Sequence, residues 1–214
     1  MALSKADINN INVTAVASKA IKFNSGADGL ETGDLGGSMV LLATTTLSSA
    51  AATIDFTSGI DSTYTEYQFH FIDIHPETAG DFSFQVDTGT NTNYNLEFHS
   101  NFFNATHTED GSTTVSVAYR SNADQFEGTA FQIISGAVGT ASDDCCTGVL
   151  TLFNPANSTF IKNFTCTTQI VGSATSINSF SGGTIDTSTA LTRIRFKMAS
   201  DDIDAGTIKM YGIV

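Results

Sequence analysis

Thr65-Glu-Tyr-Gln-Phe-His-Phe-Ile-Asp-Ile74 and, after a break at His75-Pro76, Asp81-Phe-Ser-Phe-Gln-Val-Asp87 are the two runs that decide the fold. Tyr67, Phe69 and Phe71 share one parity, and Phe82, Phe84 and Val86 share one in the second run. A strand points successive side chains to opposite faces, so each run has an aromatic face for a core and a polar face for the outside. The rhythm returns in Thr192-Arg-Ile-Arg-Phe-Lys-Met198, where Ile194, Phe196 and Met198 alternate with Arg193, Arg195 and Lys197. The chain is expected to be all-β.

Working outward, the pattern predicts strands over residues 39–47, 51–57, 66–74, 81–87, 94–98, 113–119, 129–135, 148–153, 159–167, 176–180, 191–198 and 206–213. Turn signals such as Ser58-Gly59, Asp110-Gly111, Asn154-Pro155 and Gly182-Gly183 separate them. A dozen short strands without a convincing helix point to a two-sheet antiparallel β-sandwich of jelly-roll type over residues 38–214. The last two strands read as a closing hairpin whose tip carries Asp201, Asp202 and Asp204.

Residues 1–37 read differently. Ile8, Ile11, Val16, Ile21 and Phe23 are scattered among polar residues and lead into a glycine-rich end. A segment this poor in apolar groups needs a partner surface to order it, so it is expected to be an extended N-terminal arm, with those five residues at its docking interface. A short helix over residues 3–20 is the weaker alternative, because β-branched and Asn residues oppose it.

The net charge of −13 is unevenly spread. Residues 1–22 carry +2, whereas residues 23–119 hold thirteen acids and no Lys or Arg. Such a chain is repelled by phosphate backbones and anionic membranes, so neither nucleic acid nor membrane insertion is expected. No apolar stretch approaches the ~20 residues that span a bilayer, and the first residues read as too polar for a signal peptide. Cys145, Cys146 and Cys166 make no disulfide framework; three reduced thiols fit assembly in a reducing cytoplasm.

Catalytic signatures are absent: no Gly-x-Ser-x-Gly, no phosphate loop, no His-Glu-x-x-His, and no zinc spacing among His70, His75, His99 and His107. The expectation is a protein that is not an enzyme and needs no cofactor. Asp201, Asp202 and Asp204 are weak candidates for Ca²⁺, which takes six to eight oxygens. Tyr64, Tyr94 and Tyr119 are candidates for stacking against sugar rings. Arg193, Arg195 and Lys197 on one strand face would repel each other alone, so they are expected beside carboxylates, on a flanking strand from the cation-free region or on a neighbouring subunit.

Several blocks together resemble structural proteins of tailed bacteriophages, chiefly marine ones. These are Thr53-Ile-Asp-Phe-Thr-Ser-Gly-Ile-Asp-Ser-Thr-Tyr64, Phe82-Ser-Phe-Gln85, Leu150-Thr-Leu-Phe-Asn-Pro155 and Ile203-Asp-Ala-Gly-Thr-Ile-Lys-Met-Tyr-Gly-Ile213. The resemblance implies a virion-surface protein, a tail or fibre component docked by its arm onto other virion proteins. Capsid decoration and a carbohydrate-binding adhesion module for a host glycan or protein are the alternatives. It further implies a homo-oligomer, with a trimer as one form.

Overall fold

The computed structural model describes residues 19–33, 38–89, 92–112, 115–172 and 174–214. Ile8, Ile11, Val16 and the alternative helix over 3–20 fall outside these, save for its last two residues. The chain divides into two units between Ser38 and Met39. Among the described residues there is no helix, and therefore none long and apolar enough to cross a membrane.

The first unit holds one antiparallel hairpin, β1 (Ala20–Phe23) and β2 (Leu30–Gly33). Asn24 closes its turn by accepting from the backbone N–H groups of Asp28 and Gly29. Lys22 pairs with Glu31 at 3.4 Å on one face. Ile21, Phe23 and Leu30 stand exposed on the other, Phe23 directly opposite Leu30. Part of the expected arm is thus a two-stranded ribbon.

The second unit has two sheets. The larger runs β3 (Met39–Thr46), β15 (Ile203–Ile213), β5 (Glu66–Pro76), β11 (Cys146–Phe153), β12 (Lys162–Gly172), β13 (Thr175–Ile185), β7 (Phe98–Thr108) and β8 (Ser116–Tyr119), with β9 (Phe126–Gly128) also on β7. The smaller runs β10 (Gln132–Val138), β6 (Gly80–Asp87), β14 (Arg193–Met198) and β4 (Ile54–Phe56). All neighbours pair antiparallel.

The parity read from the sequence builds the core. Tyr67, Phe69 and Phe71 of β5 and Phe82, Phe84 and Val86 of β6 are all buried. Phe196 of β14 sits centrally: its ring lies 5.5 Å from Phe69, 5.3 Å from Phe71, 5.9 Å from Phe82 and 6.3 Å from Phe56. It therefore ties the smaller sheet to the larger one, and edge-on aromatic pairs at such separations add to the area they bury. Phe84 does the same against Phe98 and Phe164, at 5.5 and 5.2 Å.

Three sequence expectations change. The run 94–98 is not a strand: Tyr94 has φ of 49° and is buried, and the strand begins only at Phe98 and continues to Thr108. The break near His75-Pro76 is a bulge rather than a turn. Asp73 takes φ of 53° where the ladder shifts register, and β5 runs on through Pro76. The closing hairpin does not form, because β14 and β15 lie in different sheets. Alternation tells which side chains face inward but not which sheet supplies the core opposite, and either arrangement buries Phe196 and Met210.

Candidate functional site

Past β11 the larger sheet continues through β12, β13, β7 and β8, where β12 and β7 still pack inward on the smaller sheet through Phe164, Thr168 and Phe98, and where the outer surface carries exposed rings. β12 alternates cleanly, with Phe164, Cys166 and Thr168 buried and Asn163, Thr165 and Thr167 exposed. β13 pairs with it, and β7 with β13, without a register break over eleven residues each, so outward residues form straight cross-strand rows. One row is Thr167, Phe180, Phe103 and Tyr119; the next is Thr165, Gly182 and Asn101.

Phe103 and Phe180 stack nearly parallel, 5.1 Å apart at 15°, yet are 44% and 36% exposed. Tyr119, 55% exposed, continues the row; its hydroxyl donates to Asn101 at 3.4 Å and to Asp124. Gly182 has no side chain where its neighbours do, which opens a shallow groove of about 370 Å³ beside the rings. Apart from the two rings its lining is hydroxyl, amide, thiol and backbone, with no charged side chain. A flat apolar platform flanked by Asn101, Thr165 and Thr167 can hold a ligand with a hydrophobic face and hydroxyl edges.

Of the tyrosines singled out for stacking, only Tyr119 belongs here. Tyr94 is buried under the Arg195 guanidinium, 4.2 Å from its ring centroid. Burial pushes its phenol upward in pKa, with the Asp55 carboxylate adding to the rise. Tyr64 packs edge-on against Tyr67 at 5.8 Å and fills the space over Gly212, where an added Cβ would sit 2.4 Å from the ring. Phe103 and Phe180 were not singled out by sequence. The Phe102-Phe103 doublet breaks the alternation, and its outward member is visible only once the strand is known to start at Phe98.

The cation row lies on the outer face of β14. Arg195 forks onto Asp55 of β4, Nε to Oδ1 at 2.8 Å and Nη2 to Oδ2 at 2.6 Å. Its partner is thus a carboxylate from the cation-free region within the same chain. The bidentate bond to Asp55 is the main reason its pKa is raised. Lys197 lies 4.9 Å over the Phe131 ring, and Arg193 stands opposite Asp87.

The three acidic candidates do not converge. Asp201 is exposed and Asp202 uses its carbonyl to accept from Glu77 N–H. Asp204 lies inside β15 and bonds His75 Nδ1 at 2.7 Å. His75 Nε2 faces the Ala141 carbonyl at 3.1 Å, so one imidazole joins β5, β15 and the 139–145 loop. Asp73, Asp143, Asp144 and Cys145 share a cleft of about 540 Å³ with this pair. Asp144 is already occupied by the Ala141 N–H at 3.0 Å.

All three cysteines are free, and their surroundings make them poor nucleophiles. Burial pushes the Cys146 thiol up to about 12 and raises Cys166 well above its ordinary value. Cys145 is raised by burial and by the carboxylates of Asp73 and Asp144. No family model matches this chain, and no curated protein matches it in sequence.

Proposed function

We propose that this is a non-enzymatic protein of a bacteriophage virion surface, a tail or fibre component, that holds a neutral host-surface glycan on the outer face of β13, β7 and β8. The observation that carries the binding role is the exposed Phe103–Phe180 stack beside an uncharged groove rimmed by Asn101, Thr165 and Thr167. Leaving two stacked rings 44% and 36% exposed forgoes part of the burial that each would gain in a core, where full burial is worth about 1.5–3 kcal/mol per side chain. A sugar ring offers the matching C–H face, and its hydroxyls suit the rim. The net charge of −13 and the uncharged groove favour a neutral glycan over a sialylated or sulfated one.

The fold reading that belongs with this role is a jelly roll with an extended sheet. It is supported by strand order: β3–β15–β5–β11 in one sheet and β4–β14–β6–β10 in the other. In that reading β12–β13 and β7–β9 are insertions that lengthen the first sheet and carry the groove. The virion assignment, with assembly in the host cytoplasm and a homo-oligomeric state such as a trimer, rests on the sequence blocks described above.

Docking by residues 1–37 onto other virion proteins is supported by the apolar face of the β1–β2 hairpin, since a lone two-stranded ribbon is marginal in water. Deleting residues 1–37 is expected to leave a folded sandwich that no longer enters particles; incorporation at wild-type levels would remove the docking role. Capsid decoration is the competing location, and particle imaging with labelled protein separates the two.

The glycan reading is tested by array binding of the full chain and of the Phe103→Ala/Phe180→Ala variant. Neutral glycans should be retained by the native protein and bound at least about tenfold more weakly by the variant, a loss of roughly 1.4 kcal/mol. Equal binding by both, or no retained neutral glycan, would overturn it.

A further inference from the structure

We infer that Glu97, His99 and Asp186 form a binding site for a divalent first-row metal ion of the Zn²⁺ class. Their ligand atoms all lie within 4.8 Å of one another. His99 Nε2 and Glu97 Oε1 are 3.3 Å apart. Zn²⁺ binds nitrogen and oxygen at about 2.0–2.2 Å, so two ligands of a tetrahedral ion stand roughly 3.3–3.5 Å apart. The His99–Glu97 pair already stands at that separation, with Asp186 within 4.8 Å of both. One imidazole with two carboxylates is a mixed nitrogen and oxygen set, which suits Zn²⁺ better than the all-oxygen shells of Ca²⁺ or Mg²⁺.

The backbone positions this set. Glu97, the residue before β7, and His99, its second residue, are two apart, and the Glu97 side chain comes to the His99 side of the strand, 3.3 Å from the imidazole. Asp186 N–H donates to the Glu97 carbonyl at 2.8 Å, just past the Ile185–Phe98 pair, which stands the two carboxylates opposite each other. Like charges placed so are destabilising. Among the described residues neither carboxylate has an ion pair to Lys or Arg; the His99 imidazole is the one basic group there. Lys162, paired with Ile185 in the ladder, turns its ammonium to the Phe160 and Thr187 carbonyls. A dication would offset the opposed charges. The Phe126 ring stands edge-on to His99 at 5.5 Å and limits how the imidazole can swing.

Three protein ligands leave a fourth position open, as in sites that keep a water or an external ligand. The site is four residues from Phe103 along β7, about 13 Å at strand rise. Ion binding therefore stands independently of the glycan reading.

Calorimetric titration of the metal-stripped full chain with ZnCl₂, then CaCl₂, tests it. The expected result is one Zn²⁺ per chain, with Zn²⁺ raising Tm. Asp186→Asn and His99→Gln should each weaken binding at least about tenfold, while His75→Gln, in the acidic cleft across the molecule's other loops, should leave it unchanged. Asp186 is exposed, so its variant keeps the test valid if His99→Gln fails to fold. Absence of Zn²⁺ uptake, uptake lost in His75→Gln but kept in Asp186→Asn, or Ca²⁺ binding more tightly than Zn²⁺ would each overturn the inference.

Discussion

Two halves of the larger sheet, β3–β15–β5–β11 and β12–β13–β7–β8, both pack apolar side chains inward, and they differ in what they show to solvent. In the first, inward positions are Phe69, Phe71, Leu150 and Met210, and outward ones are Gln68, His70, Thr151 and Lys209. In the second, inward positions mix Phe98, Phe102, Phe164 and Ile170 with Thr168, Ser179, Ser181 and Asn104, all buried, while Phe103, Phe180 and Tyr119 face out. Hydrophobic burial explains the first pattern directly. The second adds to it aromatic area left in solvent and the buried hydroxyls of Ser179 and Ser181, without hydrogen-bond partners among the described residues, which folding alone does not favour. The comparison teaches that burial accounts for the inner face of both halves, while the exposed rings of the second gain nothing from folding.

The largest expected effect is in the first half. Phe196→Ala removes the ring that bridges both sheets and should cost about 3–5 kcal/mol, the range for truncating a fully buried aromatic. Chemical denaturation of the purified variant measures it. A loss under about 1 kcal/mol would mean that the aromatic cluster is not what joins the sheets, and the contrast between the halves would fail.

The same contrast explains which parts of the molecule were legible in sequence. Strands β5, β6 and β14 are read correctly because their burial is one-sided and follows a period of two. Arg195 finds its carboxylate on a flanking strand because an acidic chain with few cations leaves little alternative. β7 was missed because Ser100 and Asn104 occupy inward positions, so Phe98-His-Ser-Asn-Phe-Phe-Asn shows no clean alternation. Tyr94 was misread for the complementary reason: a residue near polar neighbours looks exposed, yet here the Arg195 guanidinium and the core cover it. Asp204 was grouped with Asp201 and Asp202 by proximity in the chain, whereas its partner His75 is 129 residues away. Glu97, His99 and Asp186 join through strand pairing that no local pattern specifies.

The smaller prediction probes the second half from inside. The Ser179 hydroxyl is fully buried on β13 and has no hydrogen-bond partner among the described residues, and the Asn104 side-chain amide opposite it is likewise unpaired at its nitrogen. A buried polar group without a partner carries its desolvation cost uncompensated, about 1–3 kcal/mol. Ser179→Ala deletes that group while changing little volume, so the variant should be more stable by about 1 kcal/mol, which for a chain of this size raises Tm by roughly 2–4 °C. Most substitutions at fully buried positions destabilise, so a gain here is a discriminating outcome. A matched loss would show that Ser179 and Asn104 belong to a satisfied polar network holding β13 against β7, and the extension's inner face would then be built for stability in its own way. A gain with unaltered glycan retention would instead leave the outer face as the reason the extension exists.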